Sequence, residues 1–278
     1  MPRVAVVTDS TAYLPEGVAE RYGIVVVPLH VVLGTWSGQE AVEVSPADVA
    51  AALRERRVTV TTSRPTPGQL AAAFRATGAT EVVAVHLSAA LSGTADSARV
   101  AAQHVAPDIS VRVVDSGSVA MGLGFDVLAA AQAALAGASL EEVAGAAEKA
   151  DTTTLFYVDS LEHLRRGGRV TAASALVGAA LAVKPLLVVR DGEIALLEKV
   201  RTFSKALSRL VELVVEAAGA GPVEIAIHHL ATPDRAALLE AELRKALPQL
   251  TELYLSEVGA VVGAHVGPGL LGVVVWRR

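Results

Sequence analysis

The sequence contains no cysteine, and this absence excludes disulfide bonds, thiolate catalysis and cysteine-based metal sites. It is also compatible with a reducing compartment. Aromatic residues make up only 4% of the 278 residues, whereas apolar residues make up 52%. The core must therefore be built mainly from aliphatic side chains, and such a core leaves room for an aliphatic ligand without requiring one.

Long hydrophobic runs and blocks of basic residues are missing as well. Lys184-Pro185, Asp191-Gly192 and the segment from His265 to Gly269 interrupt the apolar stretches, so none resembles a membrane span of about 20 residues. The net charge is −5, from 24 basic and 29 acidic residues. The sequence has no cluster of Lys and Arg residues, which argues against a nucleic-acid partner. The N-terminal residues lack the pattern of a signal peptide, and we expect a cytoplasmic protein.

Strand and helix patterns alternate along the first half of the chain. The predicted strands cover 3–7, 24–33, 81–87 and 110–114. The predicted helices cover 15–22, 46–56, 67–76, 95–104, 119–136 and 140–149. This alternation predicts an N-terminal α/β domain over residues 1–155, with a mostly parallel, doubly wound sheet and helices.

The pattern changes in the second half, for which we predict a C-terminal α/β domain over residues 156–278. An Asp191-Gly192 turn between two β-branched runs, 184–189 and 193–200, predicts a β-hairpin. Further helices are predicted over 161–166, 172–182, 203–218 and 233–247, and further strands over 153–158, 222–228, 251–256 and the last apolar residues. Because a hairpin is antiparallel, this second sheet should be mixed.

A hydroxyl-rich turn at residues 88–94 lies between the predicted strand 81–87 and the helix that follows it. Ligands of open α/β sheets collect at the carboxyl ends of strands, where helix N-termini offer free N–H groups to anions. Ser92 can donate a hydrogen bond there, and Gly93 permits a close approach to the backbone. We expect an anionic group at Ser92, although simple N-capping of the helix accounts for the same residue types.

Thr61, Thr62 and Ser63 form a second hydroxyl-rich segment, which precedes the helix that Thr66 is expected to cap. Since Thr66 supplies the cap, the three preceding hydroxyls remain available for a ligand. A surface turn stabilised by its own hydroxyls is the other interpretation of this segment.

The chain resembles the DegV family in seven short motifs that occur in order along nearly its whole length. They are Val7-Thr8-Asp9-Ser10-Thr11, Thr62-Ser63-Arg64-Pro65, Leu91-Ser92-Gly93-Thr94, Val114-Asp115-Ser116, Leu164-Arg165-Arg166-Gly167-Gly168-Arg169, Lys184-Pro185 and His265-Val266-Gly267-Pro268-Gly269. The resemblance implies a two-lobed α/β protein that binds a long-chain fatty acid, such as palmitate, stearate or oleate, between or within its lobes. It implies no cofactor, no metal and no catalysis by the chain itself.

The same resemblance implies a partner and a set of binding residues. In bacteria that have the partner, the bound acid is presented to a fatty acid kinase, which forms an acyl phosphate for phospholipid metabolism. The residues implied at or near the carboxylate are Thr61, Thr62, Ser63, Ser92, Gly93, His265 and Arg201. Thr62 stands at the family's Thr-Ser-x-Pro position, but whether Thr61 or Thr62 makes the contact is left open.

Arginines near these motifs add expectations of their own. Arg64 stands where the family often has Gln, and we expect it in solvent. Arg169 belongs to the Gly-Gly-Arg turn, and Arg201, which follows the hairpin, is expected near the head group or the kinase. The acyl tail needs apolar walls, for which the candidates are 27–33, 172–183 and 270–275.

Three other functions would use some of the same residue types. A serine hydrolase would use Ser92 as nucleophile, His265 as base and Asp9 or Asp115 as orienting acid, but the Gly-x-Ser-x-Gly pattern is absent around Ser92. A nucleotide-binding protein would need a phosphate loop or a dinucleotide fingerprint, and the sequence has neither. A metal site is disfavoured because the histidines are scattered, with His228-His229 as the only adjacent pair.

Overall fold

A computed structural model describes residues 3–55, 58–170 and 183–278. The strands are β1 (Val4–Asp9), β2 (Val25–Val27), β3 (His30–Leu33), β4 (Trp36–Gln39), β5 (Val60–Ser63), β6 (Glu81–His86), β7 (Ser110–Asp115), β8 (Asp151–Tyr157), β9 (Lys184–Arg190), β10 (Glu193–Val200), β11 (Val223–His229), β12 (Leu250–Glu257) and β13 (Leu271–Arg277). The helices are α1 (Val18–Tyr22), α2 (Pro46–Glu55), α3 (Pro67–Ala76), α4 (Thr94–Val105), α5 (Met121–Leu135), α6 (Leu140–Glu148), α7 (Glu162–Arg166), α8 (Phe203–Ala218), α9 (Pro233–Ala246) and α10 (Ala260–Val266).

The strands form three sheets, which confirm a mixed α/β fold. A parallel sheet has the order β2-β1-β6-β7, and a mixed sheet has the order β10-β9-β8-β13-β11-β12. The third sheet, β4-β3-β5, is antiparallel. The parallel and mixed sheets agree with the predicted fold class, whereas the small antiparallel sheet was not predicted.

The predicted strand over 24–33 is wrong, because the chain forms two strands there that belong to different sheets. β2 pairs with β1 in the parallel sheet, and β3 pairs with β5 in the antiparallel sheet. Pro28 lies between them, and a proline has no N–H to donate to a sheet. Residues 61–63 lie in β5 rather than in a turn, so the surface-turn interpretation of this segment is also wrong.

Local signals in the sequence predicted several elements correctly. Thr66 and Ser139 each begin a helix with a complete capping box. β9 and β10 form the predicted hairpin, in which Asp191 and Gly192 both have the positive φ angles of a tight turn, 52° and 78°. The predicted helix over 172–182 lies outside the described residues, as does Arg56.

α5 lies between the parallel sheet and the mixed sheet and holds them together. It packs against β1 and β6 on one side and against β8 and β13 on the other. Its ring at Phe125 lies 4.8 Å from the ring of Trp276 in β13, centroid to centroid. Apart from Asp126 and Gln132, α5 consists of apolar residues and glycines, as is typical of a buried helix. It joins the two halves through one continuous core.

The mixed sheet has two differently covered faces. One face, with Leu155 and Val273, packs against α8 and α9. The other face carries α5 and the cavity described below. The mixed sheet includes β8, so the proposed boundary between residues 155 and 156 falls inside this strand, and the division into two domains stays a prediction.

Within residues 3–55, 58–170 and 183–278, no helix combines the length and the apolar character needed to cross a lipid bilayer.

Candidate functional site

A cavity of about 370 Å³ lies on the α5 face of the mixed sheet, a size typical of ligand pockets. Its walls include residues of β5, β8, β10, β11 and β13, of α7 and α10, and of the segment that follows β6. Both halves of the chain therefore contribute to one site.

The interior of the cavity is lined mainly by buried aliphatic and aromatic side chains. Leu29, Leu87, Phe156, Val258 and Leu270 are all buried and all line it. Two of the predicted apolar walls, 27–33 and 270–275, contribute residues to this lining. The third, 172–183, lies outside the described residues except for its last position. An apolar lining of this kind suits an apolar ligand.

One end of the cavity is polar, and we call it the mouth. Its residues are Thr62, Ser63, Arg64, Ser92, Gly93, Arg169 and His265. Ser63 and Arg64 are exposed and the hydroxyls of Thr62 and Ser92 are half-buried, so this end opens to solvent. The mouth brings together all but two of the residues expected at the carboxylate, the exceptions being Thr61 and Arg201.

Thr62 and His265 are joined directly across the mouth. Thr62 Oγ1 lies 2.8 Å from His265 Nε2, although the two residues are 203 positions apart in the sequence. Thr61 is exposed and does not line the cavity, whereas Thr62 does. Of the two threonines, Thr62 is the one that faces the cavity.

His265 is uncharged at neutral pH. Burial lowers its pKa to about 4, and the nearby positive charge of Arg169 acts in the same direction. A neutral imidazole donates one hydrogen bond and accepts another. An anion placed beside His265 would raise its pKa, because a negative charge favours the imidazolium form.

The short helix α10, which carries His265, is fixed by two residues that the sequence analysis missed. Glu40 Oε1 accepts a hydrogen bond from the Val261 N–H at 2.7 Å, and the Tyr13 hydroxyl accepts one from the Val262 N–H at 3.1 Å. The Tyr13 hydroxyl in turn donates to Glu40 at 3.1 Å. Glu40 is 1% exposed, and this burial raises its pKa. No local pattern reveals these contacts, since they join positions 221 and 249 residues apart.

The turn that carries Ser92 is held by the acidic residues that end the two neighbouring strands. Asp9, at the end of β1, accepts the Leu87 N–H at 3.0 Å, and Asp115, at the end of β7, accepts the Ala89 N–H at 3.0 Å. The Ser88 hydroxyl donates to the carbonyl of Gly192 at 2.7 Å, which ties the turn to the β9–β10 hairpin. The motifs at Asp9 and Asp115 therefore position this turn.

Helix capping does not account for the Ser92 hydroxyl. α4 begins at Thr94, and no side chain caps its N-terminus. Ser92 Oγ lies 2.9 Å from Thr94 Oγ1 instead. The first N–H groups of a helix have no partner within the helix, so this end of α4 retains donors that suit an anion.

Two arginines flank Ser92 at the mouth. Arg169 donates from Nε to the carbonyl oxygen of Leu91 at 3.2 Å. The Arg64 guanidinium lies so close to Gly93 that a Cβ atom there would collide with it. Arg64 is exposed, as expected, but it is also part of the mouth. The mouth therefore offers two positive charges as well as neutral donors.

Arg201 is not brought to the mouth. It is exposed and follows the end of β10. Ile194, the residue of β10 that lines the cavity, lies seven positions earlier, which corresponds to roughly 23 Å along an extended strand.

The residues of the considered hydrolase triad are paired with other groups. Ser92 pairs with Thr94, and His265 pairs with Thr62. The Asp9 carboxylate lies 3.0 Å from Nδ1 of His86. No hydrogen bond between any two members of the triad is found in the described part of the chain. The geometry therefore gives no specific support to a hydrolase.

The other considered sites are not supported either. His228 uses both ring nitrogens within the protein, since Nε2 accepts from the Met121 N–H at 3.2 Å and Nδ1 lies 3.1 Å from Ser256 Oγ. Across the three described ranges, no three His, Asp or Glu side chains come together in a way that could hold a metal ion.

The fold and the cavity define a class: α/β proteins in which a parallel and a mixed sheet enclose an apolar pocket with a polar mouth. A family model described as "Uncharacterised protein, DegV family" matches residues 3–278. A DegV domain-containing protein of Streptomyces coelicolor is 57% identical over 280 residues, which cover 99% of each chain. The chain belongs to the DegV family.

Solved structures of the family share this fold. One, described as showing fatty acid binding of a DegV family protein from Thermus thermophilus, has a TM-score of 0.92 and 32% identity, and the match covers 99% of this chain and 100% of that one. Another, described as DegV, a fatty acid binding protein from Bacillus subtilis, has a TM-score of 0.90 and 35% identity, with both chains covered completely.

Proposed function

We propose that this protein binds a long-chain fatty acid, with the acyl tail in the apolar interior of the cavity and the carboxylate at the mouth. The observation that carries this proposal is the hydrogen-bonded pair of Thr62 and His265, which lines a largely apolar cavity together with Ser92. The fatty acids that the two solved relatives are described as binding have the same two-part chemistry.

The interior would supply most of the affinity. A palmitate tail has about 15 carbons, and burying it gains on the order of 12 kcal/mol at ~0.8 kcal/mol per methylene. Loss of ligand freedom offsets several kcal/mol of this gain. Each hydrogen bond to the charged head group adds roughly 1.5–3 kcal/mol, part of which offsets its desolvation. The mouth would therefore fix the orientation of the acid more than its affinity.

The head group would meet three kinds of donor. Ser92 and Thr62 supply hydroxyls, and Ser63 and the backbone at Gly93 lie beside them. Arg64 and Arg169 supply positive charge on both sides of Ser92, and a charged donor forms the stronger hydrogen bond to a carboxylate.

The half-buried position of the mouth suits transfer of the acid to a second protein. We infer a fatty acid kinase as this partner, with the chain itself acting as a binding subunit without catalysis of its own. A carboxylate oxygen held at the mouth would accept the γ-phosphoryl group of ATP on the kinase, and ADP would leave. Location in the cytoplasm, where ATP is available, stays a prediction.

Denaturing mass spectrometry of the protein purified from a bacterial host tests the binding proposal. We expect a co-purifying fatty acid, and after delipidation we expect stoichiometric uptake of added palmitate but not of a short acid such as butyrate. A protein that carries no fatty acid and also fails to take up palmitate would overturn the proposal.

The kinase step is tested separately, by measuring acyl phosphate formed from ATP and protein-bound palmitate when a purified fatty acid kinase is added.

A further inference from the structure

A second pocket, of about 280 Å³, lies beside the fatty-acid cavity, between α5, β8 and the β9–β10 hairpin. Its lining differs sharply from that of the first cavity. Four carboxyl groups line it, from Asp115, Asp126, Glu148 and Asp191. None of the described residues that line it is a lysine, an arginine or a histidine. The pocket is therefore an acidic region in the junction between the two sheets.

Asp126 is the buried floor of this pocket. It lies in α5 and is only 3% exposed. No hydrogen bond or ion pair joins its carboxyl to any residue in the described ranges, and burial raises its pKa well above the ordinary value. Burying a carboxyl group without a partner is costly, so the group is poised to gain from a ligand that supplies donors and positive charge.

Thr154 provides a second unpartnered group that faces the same pocket. It is 8% exposed, and its hydroxyl oxygen has no hydrogen-bond partner among the described residues. A Cβ atom on Gly122 of α5 would lie 2.8 Å from this oxygen, so the hydroxyl points at the helix that carries Asp126. Asp126 and Thr154 are thus two buried polar side chains that line the same pocket and do not form a hydrogen bond with each other.

The rim of the pocket carries the other three carboxylates, all of them exposed. Asp115 uses one oxygen, Oδ1, to accept the N–H groups of Ala89 and Gly117. Glu148 is in contact with Arg112 at 3.1 Å. Exposed carboxylates around a buried carboxyl group create a negative potential, which raises the local concentration of cations at the pocket.

We propose that this pocket binds a small organic ammonium ion, a protonated primary amine, through the Asp126 carboxylate and the Thr154 hydroxyl. An ammonium group carries three N–H donors, and both side chains can accept from it. The pocket is several times larger than the roughly 30 Å³ that one water occupies, which leaves room for the carbon chain of an amine. The described residues do not assemble a metal-binding group there, which favours an organic cation over a metal ion.

This proposal is independent of the fatty-acid function, because it rests on different residues apart from Thr154, which lines both cavities. The probe is n-butylammonium chloride, titrated into the delipidated protein by isothermal calorimetry. Ionic strength is held constant with KCl, so that simple charge screening does not produce a signal.

We expect saturable binding of one n-butylammonium ion per chain, weakened at least tenfold by Asp126→Asn. The matched control is Asp108→Asn, which changes an exposed aspartate outside the pocket and should leave binding unchanged. The absence of saturable binding to the wild-type protein, or equal binding by the wild type and Asp126→Asn, would overturn the proposal.

A measurement on the wild-type protein removes any dependence on how the variant folds. In carbon NMR of aspartate side-chain carboxyls at constant pH, n-butylammonium should shift one buried carboxyl signal to the position of an ionised group, and KCl should not. If every aspartate carboxyl signal stays in place while the amine is added, the proposal is wrong.

Discussion

The interior and the mouth of the first cavity are built in different ways. The interior consists of core side chains, such as Leu87 and Phe156, that pack as any core does. The mouth consists of polar side chains from both halves of the chain, and its Thr62–His265 contact spans 203 positions. From this difference we infer that the interior binds the apolar part of the ligand and the mouth orients its polar head group.

His228, which is buried, and His265, which is half-buried, show the same contrast at the level of single residues. Burial lowers the pKa of both His228 and His265 to about 4. Both nitrogens of His228 are used within the protein, by Met121 and Ser256. His265 stands at the open mouth beside Thr62. We therefore regard His228 as part of the wall and His265 as part of the binding site.

Filling the interior should have the largest effect. Gly272 lies on the cavity face of β13, where an added Cβ would make ordinary contacts at 3.5 and 3.8 Å with Phe156 and His228. Gly272→Leu should occupy the space of about four methylenes and weaken palmitate binding by roughly 3 kcal/mol, or about 150-fold. Titration of delipidated protein with a fluorescent or radiolabelled fatty acid measures this loss.

Gly272→Ala is the matched control, because its methyl group has room and should change palmitate affinity by less than about threefold. Equal binding by the leucine and alanine variants, both at the wild-type level, would show that the tail does not occupy this part of the cavity.

Changing the mouth should have a smaller and more selective effect. Ser92→Ala removes one hydroxyl donor and should weaken palmitate binding by roughly 1.5 kcal/mol, about tenfold. Binding of hexadecanol, which has the same tail without the charge, should change by less than about twofold. Calorimetry with both ligands gives the two values.

Arg201→Ala tests the predicted role of Arg201, because this exposed arginine does not line the cavity in the structure. We expect no change in palmitate affinity for this variant.

For Ser92→Ala, an equal loss of affinity for palmitate and for hexadecanol would mean that Ser92 supports the pocket instead of holding the carboxylate.

Bound ligand should change the pKa of only one of the two histidines, whereas acid should protonate both in the same pH range. In NMR titrations of the delipidated protein, both rings should stay neutral until the pH approaches about 4. Because the unfolded chain takes up these protons near pH 6.5, both residues should lower the free energy of unfolding as the pH falls from 6.5 towards 4. Bound palmitate should raise the pKa of His265, because a negative charge favours the imidazolium form, and leave that of His228 unchanged.

A palmitate-dependent shift of both histidines, or of His228 alone, would contradict the assignment of His265 to the mouth.

Local chemistry explains why some elements could be predicted from the sequence. The Asp191-Gly192 hairpin and the capping boxes at Thr66 and Ser139 depend on residues within a few positions of each other. Pro28 shows the limit of such reasoning, since a single missing N–H divides an apolar run between two sheets.

The site was predictable in its residue types but not in its geometry. Family motifs placed Thr62, Ser92 and His265 in one set, and all three line the mouth. Glu40 was missed because its contact with α10 is made 221 residues away. Asp126 was missed because an acidic residue within an apolar helix gives no indication of whether it has a partner.

A crystal structure of the protein with bound palmitate tests the central claim most directly. We predict the carboxylate within hydrogen-bond distance of Ser92 Oγ and of the Thr62–His265 pair, with the tail running past Phe156 in the interior. Palmitate bound in the reverse direction, or outside this cavity, would contradict the account.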